Sequence, residues 1–187
     1  MSIVSGNLFV AVGLSDVERH ALAASLTDAG LSRVIPGKRT RAANWHITVR
    51  FVGEATEVAV DRLAEKIGSS LDAEPGRVWV CGLGAFPQFT KASVMYAAID
   101  DPSGLLGELA VIAEEACTEV GFEPEGRPFV PHLTLSRIRP TRDVSAISDA
   151  LDDIRVPIRV QTLTMFRTQS TREGPMYVPL HEFPLGH

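Results

Sequence analysis

One four-residue pattern, histidine–aliphatic–threonine–aliphatic, occurs twice in the chain, as His46-Ile47-Thr48-Val49 and as His132-Leu133-Thr134-Leu135. The period of two predicts a strand at each copy. Residues two apart on a strand share a face, so His46 and Thr48 point one way while Ile47 and Val49 enter the core. The same holds for His132 and Thr134 against Leu133 and Leu135. The fold must therefore carry two strands that each offer an imidazole and a hydroxyl to one surface, with apolar anchors behind. The chain has only five histidines in 187 residues, and two of them open this pattern. His20 falls in a predicted helix, and His181 and His187 lie near the C-terminus without the motif, so packing or surface roles suffice for them.

Both copies lie where acidic residues are missing. Leu31 to Gly53 contains no Asp or Glu but carries Arg33, Lys38, Arg39, Arg41 and Arg50. Gly126 to Arg142 carries Arg127, Arg137, Arg139 and Arg142, and Ile154 to Arg172 carries Arg155, Arg159, Arg167 and Arg172, again without an acid. These stretches hold most of the 18 basic residues of a chain whose net charge is −5. Arginine dominates them, and its planar fork suits phosphate oxygens. Brought together, the stretches would make an electropositive groove on an acidic body. The acidic total argues against a protein that coats nucleic acid non-specifically.

The rest of the chain alternates strands and helices. Leu8 to Val12 reads as a buried strand. Ser15 to Glu18 has the form of a capping box, opening a helix that runs to about Ala29 with Gly30 as its stop. A strand at Trp45 to Val52 is followed by a helix through Val60, Leu63, Ala64, Ile67 and Leu71, closed by Pro75-Gly76. Val78 to Leu83 and Ser93 to Ile99 are strands around a loop. An amphipathic helix from Leu105 ends at Gly121. A strand over His132 to Ile138 and a shorter helix near Val144 to Leu151 come next. Val156 to Arg167 and Met176 to Phe183 are two late strands around the polar loop Thr168 to Gly174. Several connections are too short for parallel crossovers, which favours mixed or antiparallel α+β architecture. No linker divides the chain, so residues 1–187 are expected to form one domain.

Two imidazoles facing each other have a clear use. One, neutral, takes a proton from an attacking water; the other, protonated, gives one to a leaving oxygen. Thr48 and Thr134 can donate hydrogen bonds to non-bridging phosphoryl oxygens. No carboxylate cluster is present to hold a metal, so neither metal nor cofactor is expected. Cys81 and Cys117 cannot make a disulfide framework and read as half-buried thiols of a cytosolic protein. No run approaches the ~18 apolar residues of a membrane span, and Met1 to Asn7 lack the form of a secretory signal. A cytoplasmic location without membrane contact follows as the expectation, and nothing demands more than a monomer.

The two motifs resemble those that name the 2H phosphoesterase superfamily, and the chain is most similar to its RNA 2′,3′-cyclic phosphodiesterases, also called 2′–5′ RNA ligases. Asn7 to Val12, Asn44 to Glu54, Gly82 to Pro87 and above all Gly121 to Arg137 carry the likeness. The resemblance implies a bilobal α+β fold with two pseudo-symmetric sheets lining a central groove and helices on the outer faces. It implies hydrolysis of RNA 2′,3′-cyclic phosphate ends to 2′-phosphates, with reversible 2′–5′ ligation in some members. It makes His46 the proton donor, His132 the acceptor, and Thr48 and Thr134 phosphate ligands. Arg127 and Arg137 are further candidates for the phosphate or RNA backbone. Strict alternation puts Arg137 on the core side, so a bulge or twist must bring it round. Arg50 shares the face of His46 and Thr48 under the same alternation. Phe9 could stack on a base, although it and Trp45 fit a core better. The chain departs from the family at Asn7, where a basic residue is common. Two other readings are a non-catalytic RNA-end or nucleotide-binding module and a 2H phosphodiesterase acting on a small cyclic nucleotide.

Overall fold

The computed structural model describes residues 6–172 and 174–186; the segment Met1–Ser5 and the residues Glu173 and His187 lie outside the described residues. Among the described residues nine strands form one antiparallel sheet in the order β7-β4-β5-β6-β3-β1-β8-β9, with β2 added on β6. They are β1 (Leu8–Gly13), β2 (Lys38–Arg39), β3 (His46–Gly53), β4 (Gly76–Phe86), β5 (Ala92–Asp100), β6 (His132–Arg142), β7 (Val156–Val160), β8 (Thr162–Thr171) and β9 (Gly174–Pro184). Four helices accompany them: α1 (Asp16–Asp28), α2 (Leu31–Val34), α3 (Glu57–Ser70) and α4 (Leu105–Val120).

The two expected sheets are the two halves of this one sheet, four principal strands each. They meet where β3 lies beside β6, bridged by the single pair Ile47 and Leu133. Every pairing is antiparallel.

The helices form where local chemistry asks for them. Ser15 caps α1 and Glu18 closes the capping box, an arrangement worth about 1 kcal/mol. Glu18 also reaches across the molecule: its second oxygen accepts the Arg159 N–H of β7 at 2.6 Å. In α3, Val60, Leu63, Ala64 and Ile67 repeat at helical spacing and are buried, and Thr56 caps its start. Asp101 caps α4 by accepting from the Leu105 and Leu106 N–H groups at 3.1 and 2.8 Å. Gly121 ends α4 at φ 104°, a conformation that a side chain resists, and its N–H bonds Cys117 and Thr118. Helix α4 packs on α3 and behind β3.

Three elements differ from the sequence expectation. Val144 to Leu151 is not a helix; only Ser145–Ile147 makes a 3-10 turn. There Asp143 accepts from the backbone and hydroxyl of Ser145, and Ser148 bonds the Ser145 carbonyl, so side chains compete with the helical ladder. Val156 to Arg167 is two strands rather than one, because the chain crosses at Gln161 from β4 in one half to β1 in the other. The Thr168–Gly174 loop is mostly hairpin, since β8 and β9 stay paired out to Thr171 and Gly174. Among the described residues no helix is long and apolar enough to cross a membrane.

Candidate active site

The lone bridge between the halves fixes the layout of both motifs. With Ile47 opposite Leu133, the antiparallel register sets His46 opposite Thr134 and Thr48 opposite His132. All four polar side chains therefore share one face at the junction of the halves. The imidazoles occupy one diagonal, at roughly the 7–8 Å typical of such neighbours.

A bulge follows each motif at its fourth residue. Opposite β1, the register passes from Thr48 to Arg50 and leaves Val49 unpaired; opposite β5, it passes from Thr134 to Ser136 and leaves Leu135 unpaired. Each bulge resets the alternation. Arg50 and Ser136 consequently turn inward, at 7% and 0% exposure, while Phe51 and Arg137 turn toward the histidines. The expectation that Arg50 shares the face of His46 is thus corrected. Its guanidinium is ion-paired with Glu114 of α4 and bonds the Phe51 and Glu123 carbonyls. The bulge that Arg137 needed is present.

A cleft of about 210 Å³ collects His46, Thr48, Thr134 and Arg137, with Phe9, Phe51, Tyr177 and small polar residues completing it. Arg127 is elsewhere: it is 81% exposed and its fork is occupied by Glu125, at 2.9 and 3.0 Å. The basic stretches do converge, with Lys38 and Arg39 of β2 paired beside Arg137 and Ser136. Arg50, Arg127 and Arg155, however, are each claimed by an acid from outside those stretches.

The two imidazoles are held alike. His46 Nδ1 lies 2.8 Å from the Asn44 carbonyl, and His132 Nδ1 lies 2.8 Å from the Val130 carbonyl. A carbonyl only accepts, so Nδ1 carries hydrogen on both rings and, in the neutral imidazole, Nε2 is the nitrogen with the lone pair. Each ring is also flanked by a phenylalanine and a tyrosine. Phe9 and Tyr177 stand 4.8 and 5.0 Å from His46; Phe86 and Tyr96 stand 5.1 and 5.2 Å from His132. Sequence reasoning missed Phe86, Tyr96 and Tyr177 here, yet a signal existed: the chain has only two tyrosines, and each packs on a motif histidine. Phe9 packs as the core residue expected of it, at 3% exposure, and its ring also lines the cleft.

Burial sets the protonation of both rings. His46 is brought down to about 4, chiefly by desolvation and further by His132 and Arg137, against its carbonyl contact. Desolvation lowers His132 too, and Arg137 adds to this. The empty site is therefore neutral at both imidazoles at pH 7, beside a fixed guanidinium, and suits an anion.

Tyr96 reaches His132 only because residue 84 has no side chain. A Cβ at Gly84 would fall 2.1 Å from the Tyr96 ring. Gly84→Ala is expected to displace that ring and remove its ring-current shift from the His132 Hε1 proton resonance. An unchanged resonance would show that Tyr96 does not position His132.

Comparison with known proteins agrees with this architecture. The model of the 2′-5′ RNA ligase superfamily matches residues 23–172. A protein of Aeropyrum pernix named RNA 2′,3′-cyclic phosphodiesterase is 32% identical over 163 residues, covering 85% of this chain and 92% of its own. One of the same name from Archaeoglobus fulgidus is 29% identical, with 94% and 98% covered. The crystal structure of Escherichia coli LigT in apo form superposes with a TM-score of 0.75 at 20% identity, over 97% of this chain and 98% of that one. The fold and the matched sequence lead to one assignment: the chain belongs to the 2′-5′ RNA ligase superfamily.

Proposed function

We propose that this protein hydrolyses 2′,3′-cyclic phosphate ends of RNA to 2′-phosphates without a metal, using His46 and His132 as the acid and base. The observation that carries this reading is the matched pair of imidazoles, each held through Nδ1 on a backbone carbonyl and set on one diagonal of the β3–β6 junction, where His46, Thr48, Thr134 and Arg137 line one small cleft. The shared name of the relatives supports the substrate class.

In this mechanism a water held by His132 Nε2 loses a proton to it and attacks phosphorus. The P–O3′ bond breaks on the opposite side, and His46 Nε2–H protonates the departing O3′, leaving a 2′-phosphate. Thr48, Thr134 and Arg137 donate to the non-bridging oxygens, where negative charge builds. His46 is neutral in the empty site, so the donor is charged by its substrate: the cyclic phosphate anion stabilises the imidazolium and offsets its desolvation. The two halves act as one two-lobed domain, because each supplies one proton-transfer group. The deciding test is incubation of a 2′,3′-cyclic-phosphate oligoribonucleotide with the protein in EDTA. A 2′-phosphate product is expected; no turnover, or a 3′-phosphate product, would overturn the proposal.

The sign of the pH dependence follows. An anion raises an imidazole pKa that starts near 4 in the empty site, so binding takes up a proton and tightens as pH falls. Sulfate, whose charge is constant from pH 7 to 5, is expected to inhibit more strongly at pH 5, by up to tenfold per pH unit for each proton taken up. His46→Gln should flatten this slope. A slope already flat in the wild type would count against substrate-driven charging.

A further inference from the structure

A second, larger cleft of about 900 Å³, a size that suits one or more nucleotides, shares Phe9, His46 and Tyr177 with the first. It runs between α1 and the strands β1, β7, β8 and β9, with Phe9, Trp45 and Phe166 among its apolar walls. Arg77 of β4 and Arg159 of β7 line it as well. They are directly opposite one another in the antiparallel register. Like charges at such positions repel, and a sheet does not place them there for stability. No carboxylate among the described residues pairs with either one. Arg19 lines the same cleft, with one of its nitrogens bound to Asp16.

The acids nearby do not neutralise the pair. Glu18 is committed to the Ser15 N–H and hydroxyl and to the Arg159 backbone N–H, so it fixes β7 in place while leaving the Arg159 guanidinium free. Glu182 lies on β9 and also borders the cleft. What remains is a pair of guanidinium groups with no ion-pair partner among the described residues, spaced as cross-strand neighbours in a cleft that His46, Glu18 and Glu182 also line. That is a receptor for phosphate oxygens.

We infer that Arg77 and Arg159 together bind an internal phosphodiester of the RNA chain upstream of the reacting end, so that the protein acts on oligonucleotides in preference to mononucleotides. The inference rests on the functional reading above in placing the terminal phosphate beside His46. The ribose bearing the departing O3′ then lies on the His46 side, and its 5′ chain leads into the larger cleft. The shared chemistry is a phosphate anion, which a free nucleotide could also supply through a 5′-phosphate.

The test separates these sources and does not depend on turnover. Binding of a 2′-phosphate-ended pentaribonucleotide is measured by fluorescence anisotropy across a salt series. Arg77→Gln and Arg159→Gln are each expected to lower the slope of log K against log salt by about 0.7, the value for one phosphate contact on a single strand. Arg62→Gln, which removes an equal exposed charge from α3, should leave the slope as in the wild type. In turnover, the ratio of kcat/KM for the cyclic-phosphate pentamer over the cyclic mononucleotide should fall about tenfold or more in the double variant. Equal slopes in the Arg77, Arg159 and Arg62 variants would overturn the inference. A 5′-phosphorylated cyclic mononucleotide that gains as much as the pentamer would overturn the chain assignment. Failure of the wild type to hydrolyse any cyclic phosphate would refute the functional proposal, and the binding series would still decide on the arginine pair.

Discussion

Replacing His46 by alanine is expected to lower kcat on a cyclic-phosphate-ended oligonucleotide by about 10²- to 10⁴-fold, and His132→Ala to do the same. In the proposed mechanism each change removes a proton-transfer partner and leaves the phosphate contacts assigned to Thr48, Thr134 and Arg137. The double variant should lose far less than the product of the two effects, since groups that act as a unit are not additive. His46 is enclosed by Phe9 and Tyr177, so alanine there leaves a ring-sized space. Free imidazole is therefore expected to restore part of the His46→Ala activity. Circular dichroism and thermal melting must show the variants folded. A folded His46→Ala or His132→Ala protein with wild-type turnover would refute two-histidine catalysis.

The second large effect is on stability. Arg50→Ala is expected to cost about 3 kcal/mol, the lower end for breaking a buried ion pair, because Glu114 keeps some contact with solvent. For a chain of this length that lowers Tm by about 6–12 °C. The Phe51 and Glu123 carbonyls lose their donor as well. Replacing both charges, as in Arg50→Met with Glu114→Leu, should recover part of the loss, since no stranded carboxylate remains. KM for a cyclic mononucleotide should stay near the wild-type value in the folded Arg50→Ala protein. A variant with wild-type Tm but a much raised KM would return Arg50 to the groove, against the packing described here.

These two residues mark the limits of what the sequence discloses. The His-x-Thr strands were legible because period-two alternation is strong and repeated. What lay beyond the fourth residue of each motif was not legible, because a bulge changes which face follows and leaves no mark in composition. Arg50 and Arg137 exchanged sides for that single reason. The break at Gln161 left one mark in the sequence, a slip of phase: the apolar positions run Val156, Ile158, Val160 and resume at Leu163 and Met165, and partner choice then separates β7 from β8. Lys38 and Arg39 were too short a run to read as a strand, and they exist as one because β6 offers an edge. The acid-free stretches pointed to convergence, but acids from neighbouring segments had claimed three of their arginines. Helix signals succeeded at Ser15 and Gly121 because caps are local chemistry.

The crossing at Gln161 also sets a timetable. Strands β4 to β7 occupy one uninterrupted span of chain, whereas β1 and β3 come from its beginning and β8 and β9 from its end. During synthesis His132 emerges with Phe86 and Tyr96 already made. His46 leaves the ribosome early and must wait for Tyr177. The half that is first to begin is therefore last to close, and a nascent chain holds a finished setting for one histidine only. On the proposed mechanism, competence arrives with the final hairpin, and a chain cut short before β9 lacks Tyr177 beside His46 and is expected to leave a cyclic phosphate intact.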